Sequence, residues 1–184
     1  MKRMIGFLFG LALALPGCIE SSSPLVPATR EAGPIAVGLY RGGTAEHSAM
    51  NDDVSIALMP NGDYFAVKIV SASDGTKTTT RYSLRFWELD EHHFIVQTRE
   101  MKSTTTPYIY VLAHVVGPDV KFYAARCDML TVAPRILAAY KFTVVRRTSW
   151  PSCGATSLPD LVAFMREVPL RIEKFSELTY IITR

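Results

Sequence analysis

Cysteine and histidine are scarce in this 184-residue chain, and none of them is spaced for chemistry. Cys18, Cys127 and Cys153 make no Cys-x-x-Cys pair, and neither Cys127 nor Cys153 has a histidine-rich neighbourhood, so zinc ribbons and dithiol redox motifs are excluded. The four histidines, His47, His92, His93 and His114, show no His-x-x-x-His or His-Glu-x-x-His spacing. Adjacent residues on a strand face opposite ways, which argues against His92-His93 as a ligand pair. A Gly-x-Ser-x-Gly elbow, a phosphate-cradling glycine loop and a dinucleotide fingerprint are also missing, and Asp74-Gly75 lacks the further acids of a calcium loop. Catalysis needs a nucleophile or activated water, a proton-moving group and a charge stabiliser. No such constellation is legible, so the chain is expected to be non-catalytic, with no cofactor and no metal.

Charge of one sign is equally lacking. Lys and Arg number 20 and Asp and Glu 17; two of the cations, Lys2 and Arg3, fall within residues 1–17, which leaves 18 against 17 beyond them. No run of five or six like charges occurs, so a nucleic-acid partner is not expected. Long apolar runs are absent too. Residues 4–15 are apolar or Gly, too few for the roughly 20 residues that cross a bilayer.

That short run has a different grammar. Lys2-Arg3 precede it, and Leu15-Pro16-Gly17-Cys18 closes it, with Leu three residues and a small Gly one residue before a cysteine. The stretch resembles the lipobox signal of bacterial lipoproteins. The resemblance implies that residues 1–17 are a cleaved signal peptide and that Cys18 carries a diacylglyceryl group and an N-acyl chain such as palmitate. It also implies a membrane anchor, which takes two or more chains to hold firmly. Ile19 after the cysteine, rather than Asp, implies the periplasmic face of the outer membrane. Residues 18–34, with Ser21-Ser22-Ser23-Pro24, Pro27 and Gly33-Pro34, read as the lipidated cysteine and a flexible tether. Residues 35–184 read as one globular domain, large enough to bury a core without staples. In the oxidising envelope, Cys127 and Cys153 are expected to form a disulfide.

Between residues 35 and 147 apolar and polar residues alternate in short runs, the period of half-buried antiparallel strands. Val54, Ile56 and Leu58 are followed by Pro60-Asn61-Gly62-Asp63 and then Phe65, Val67 and Ile69, and the Asn-Gly pair predicts a tight hairpin turn. Strands are further predicted over 77–87, 93–100, 108–116, 120–125, 140–145 and 178–183. Residues 108–116 are apolar on both faces, which predicts a central strand. Ser157, Pro159 and Asp160 mark a helix start, and Leu158, Leu161, Val162, Met165 and Val168 form its apolar stripe until Pro169 stops it. The fold class is therefore mainly β: a small antiparallel barrel, or a strongly curved sheet, with one C-terminal helix packed on it. Gly38-Leu39-Tyr40 is similar to the Gly-x-Trp that opens the first strand of lipocalins, in which a helix follows the barrel. This faint resemblance implies a carrier.

Three function classes stay open. The first is a non-catalytic envelope lipoprotein that binds another protein or a cell-wall component. The second is a lipocalin-like carrier of a small apolar ligand, whose cavity would draw on Tyr82, Phe86, Phe94, Tyr108, Tyr110 and His114. The third is a hydrolase with a scattered site.

Overall fold

The computed structural model describes residues 19–28, 33–44, 52–72, 74–102, 105–124, 127, 134–145, 151–167 and 179–184. Alternation becomes strand over most of the predicted ranges; of 140–145 only Thr143–Val145 is strand, because Lys141 takes a positive φ and turns the chain after the preceding helix. β2 (Gly38–Thr44), β3 (Asp52–Leu58), β4 (Tyr64–Ser71), β5 (Lys77–Glu88), β6 (His93–Glu100), β7 (Tyr108–Val116) and β8 (Asp119–Ala124) run as an antiparallel meander. β11 (Thr179–Thr183) then fits between β8 and β2, and β6 also pairs with β7. The result is a closed, eight-stranded antiparallel barrel. Closure leaves none of these strands with an open edge.

Three short connections, 59–63, 89–92 and 117–118, lie at one end, the base, and a fourth, 72–76, at the other. At 59–63 the connection is longer than a two-residue primed turn: only Gly62 takes a positive φ, and Asn61 instead hydrogen-bonds Asp63 through its side chain. Asp63 in turn pairs with Arg85, Nε to Oδ1 at 2.6 Å and Nη2 to Oδ2 at 2.8 Å, and raises the guanidinium pKa further above its ordinary value. The opposite end, the mouth, carries the connections 45–51 and 101–107 and the long excursion from β8 to β11.

The stretch expected as a tether is instead part of the fold. β1 (Ile19–Ser21) is buried and pairs antiparallel with β7 and parallel with β10 (Ser152–Gly154), which pairs with β9 (Thr143–Val145). Beyond β1 the chain lies along the barrel's outer wall. Gln97 Oε1 accepts from the amides of Leu25 and Val26, and the Val26 carbonyl accepts from Arg85. It then passes under the base, where the Tyr64 hydroxyl donates to the carbonyls of Gly33 and Ile35, and that of Tyr40 to Ala36. A Cβ on Gly33 would stand 3.0 Å from the Tyr64 ring, so only glycine lets the strap lie this close. Sequence composition suggested a tether because serines and prolines dominate it; the few apolar residues, Ile19, Leu25, Val26 and Ile35, are the ones that dock. Residues 1–18, Cys18 included, lie outside the described residues.

The excursion builds a second core against the outer wall. α1 (Pro134–Ala139) begins on its proline, where no amide is needed. α2 (Leu158–Glu167) buries Leu161, Phe164 and Met165 against Ile19, Ile95, Tyr110 and Leu112. Cys127 and Cys153 are bonded, Cα–Cα 5.4 Å, inside this core. A loop of that length stabilises by about 3 kcal/mol in the chain-entropy picture. Where a lipocalin carries its helix after the barrel, α2 here precedes the closing strand. Among the described residues no helix is long and apolar enough to cross a membrane.

The α2 cap carries a pH dependence. Ser157 Oγ donates to Asp160 Oδ2 at 2.6 Å and accepts from the Asp160 amide, while Lys141 Nζ stands 3.2 Å from Oδ1. The Ser157 hydrogen bond first, then Lys141, holds the Asp160 carboxyl below its ordinary value. A depressed carboxyl stabilises the fold above its unfolded pKa, about 3.9, and the contribution is lost as pH falls through the folded value. In Ser157→Ala the Asp160 titration, followed by carboxyl-carbon NMR, is expected to move up toward the ordinary value; an unchanged titration would refute the cap as its cause.

Candidate functional site

Register decides which side chains face the barrel interior. Tyr40, Val54, Ile56, Tyr64, Tyr82, Leu84, Phe86, Phe94, Val96, Val111 and Ile182 form the inner core. Toward the base the aromatics meet edge to face, Tyr64 on Phe86 at 5.4 Å and Phe86 on Phe94 at 6.3 Å. Of the six cavity candidates, Tyr82, Phe86 and Phe94 are therefore inside. Tyr108, Tyr110 and His114 share one face of β7, as expected, but it is the outer face. β7 is apolar on both faces because one lines the barrel and the other the second core.

Tyr110 is a structural hub there. Its hydroxyl lies 2.7 Å from Ser21 Oγ, accepts from the Leu25 amide at 3.1 Å and donates to Gln97 Oε1 at 3.2 Å. Burial pushes its pKa up, against the pull of the Ser21 hydrogen bond. Tyr108 is stacked beneath the Arg99 guanidinium, 4.9 Å from the ring centroid. His114 stacks on His93 across strands, ring centroids 4.5 Å apart, with His92 6.3 Å away, so strand pairing brings His114 to the adjacent His92 and His93. Asp90 accepts from the His92 and His93 amides and stands 2.9 Å from His93 Nδ1. Among the described residues no group of three or more His, Cys, Asp or Glu is arranged to hold a metal ion. His47 lies outside them.

Polar groups enter the interior toward the mouth. Lys68 Nζ pairs with Asp52 Oδ2 at 2.8 Å, with side chains 7% and 13% exposed. Thr98 is 4% exposed, and its hydroxyl has no hydrogen-bond partner among the described residues. From Thr98 a cross-strand row leaves the barrel: Thr98 faces Ile109, Ile109 faces Glu20, Glu20 faces Gly154 and Gly154 faces Thr143. Directly paired residues share a sheet face, so this row is one continuous surface running from the barrel wall onto the β1–β10–β9 flange.

On that flange lies a half-open cleft of about 550 Å³. β1 contributes Glu20, Ser21 and Ser22, the β6–β7 connection Thr105, Thr106 and Pro107, β9 Thr143 and Val145, and β10 with its exit Gly154, Ala155 and Thr156. Among the described residues the one charged residue of its lining is Glu20, itself 7% exposed. A Cβ on Gly154 would come 2.6 Å from Thr143 Oγ1, which donates to the Gly154 carbonyl at 3.5 Å, so a side chain here would push the threonine aside. None of these residues is legible as a site in sequence: they come from four separate segments, and no spacing rule connects them. Compared with known proteins, the chain matches no family model, no curated protein and no solved structure.

Proposed function

We propose that this chain is a lipid-anchored, non-catalytic binding module of the bacterial envelope that takes a small ligand at its barrel mouth. The anchor rests on the lipobox resemblance ending at Cys18. The ligand reading rests on one observation, the unbroken row from Thr98 through Glu20 to Thr143 that joins the barrel interior to the cleft. Tyr64 holds Gly33 and Ile35 at the base and aromatics pack the interior above them, so a guest is expected at the cleft, toward the mouth. Small-molecule sites are concave and carry a few convergent polar groups, as the cleft does.

Binding to an envelope protein is the second reading, favoured by Leu39, 76% exposed on β2 beside half-exposed Val37. Scattered apolar residues are normal on a surface, and these two form only a small patch. Native mass spectrometry of Cys18→Ser protein, purified gently from a periplasm, separates the two. A stoichiometric extra mass lost on denaturation supports the ligand reading. A clean apo mass, with crosslinks to an envelope protein from positions 37 and 39, overturns it.

A further inference from the structure

Given the lipid anchor proposed above, the missing tether fixes how closely the barrel stands to its membrane. Cys18, the residue acylated under the lipobox reading, is bonded to Ile19, and Ile19 is fully buried, paired with Tyr110 on one edge and Cys153 on the other. Consecutive Cα atoms are about 3.8 Å apart, so no spacer separates the acylated residue from the folded wall. A domain held this closely rests one of its faces on the lipid headgroups, and that face must lie within reach of β1.

Surfaces that meet an anionic bilayer carry Lys and Arg with aromatic and apolar side chains among them. Register assembles such a surface on the outer side of the wall, at the mouth. Ser21 pairs with Tyr108, and the Arg99 guanidinium lies over the Tyr108 ring and donates from Nη1 to its hydroxyl at 3.1 Å. The Met101 amide donates to the Arg81 carbonyl at 2.9 Å, which continues the β5–β6 ladder and sets Arg81 and Met101 next to Arg99 on the outer face. Glu100, between them, pairs with Tyr82 of the inner core and so belongs to the inner face. Arg81 and Lys102 are exposed, and Met101 is 48% exposed. Among the described residues Arg81, Arg99 and Lys102 make no ion pair, and the buried Nε of Arg99 has no hydrogen-bond partner. Three such cations around a methionine and a tyrosine complement the charge of anionic lipids. From Ser21 back to residue 18 is a step of roughly 10 Å along the strand, so anchor and cations reach the same patch of bilayer. We infer that this outer face at the mouth is a membrane-contact surface: Arg81, Arg99 and Lys102 bind lipid phosphates, Met101 and Tyr108 enter the headgroup layer, and the barrel stands directly on the bilayer that holds its anchor.

The test has two parts. The intact mass of the chain extracted from bacterial membranes is expected to lack residues 1–17 and to carry acyl chains. An unprocessed, unacylated mass would overturn the anchor, and the bilayer as occupant with it. Cys18→Ser protein is then sedimented with vesicles of phosphatidylglycerol and phosphatidylethanolamine in equal parts, or of phosphatidylcholine alone. Partitioning is expected to favour the anionic vesicles by about a hundredfold, and to fall about fivefold for each of Arg81→Gln, Arg99→Gln and Lys102→Gln. Lys102→Arg, which keeps the charge at an exposed position, is expected to bind as the parent does, and so separates a lost contact from misfolding. Equal sedimentation with both vesicles, no sedimentation with either, or no loss when all three cations are replaced, in a chain whose native mass carries the acyl chains, would overturn the contact surface and leave the anchor standing. A photocrosslinker at position 102 in cells is expected to label lipid; a protein adduct in its place would assign the face to a protein partner instead.

Discussion

Lys68→Met is expected to lower the stability of the domain by about 3–5 kcal/mol, measured by urea unfolding. The lysine stem fits the barrel interior, and methionine replaces most of it, so the loss is electrostatic rather than a cavity. What remains is the Asp52 carboxylate, facing inward beside Gly42 with its ammonium partner gone. Removing one member of a buried pair leaves a charge that costs far more than the pair was worth. Pairing the change with Asp52→Leu is therefore expected to recover most of the loss, since apolar replacement of a whole buried pair is often neutral. A single variant as stable as the parent would show that water reaches the pair, and that the mouth is hydrated down to Lys68.

Phe164→Ala is expected to cost a similar amount, about 3–5 kcal/mol, for a different reason. Phe164 is fully buried, with ring centroids 5.3 Å from Tyr140 and 5.1 Å from Phe142, and its loss leaves a void between α2 and the wall. Because β1 pairs with barrel strand β7 and packs in that core, one cooperative transition is expected to shift as a whole. Unfolding of α2 at lower denaturant than the barrel, followed by residue-resolved amide exchange, would show two independent units instead.

Where a feature depends on local pattern, the sequence carries it. Alternation in β3 to β6, the two-sided β7, the Ser157–Asp160 helix start and the Cys127–Cys153 bridge are all legible because each follows from period, cap or compartment. The limits are just as physical. A period of two says that Tyr108, Tyr110 and His114 share a face; it does not say which face looks inward when both are apolar. Phe164 falls outside the stripe read for α2, yet it is buried, because aromatics from 140–142 extend the apolar surface around the helix. β1 and β10 are three residues each, too short for any period, and are strands only because β7 and each other supply their hydrogen bonds. The candidate cleft inherits that invisibility, being built on those two strands.

The strap's first strand also orders events in time. Ile19 lies between Tyr110 on one side and Cys153 on the other, so its place does not exist until nearly the whole chain has been made and most of the barrel wall is standing. Ile19 thus waits for partners about 90 and 130 residues along the chain, a topology of high contact order and slow assembly. Until then Ile19, Leu25 and Val26 are exposed apolar surface. This makes the interval between synthesis and closure, rather than the finished fold, the stage at which the protein is most exposed to aggregation and proteolysis.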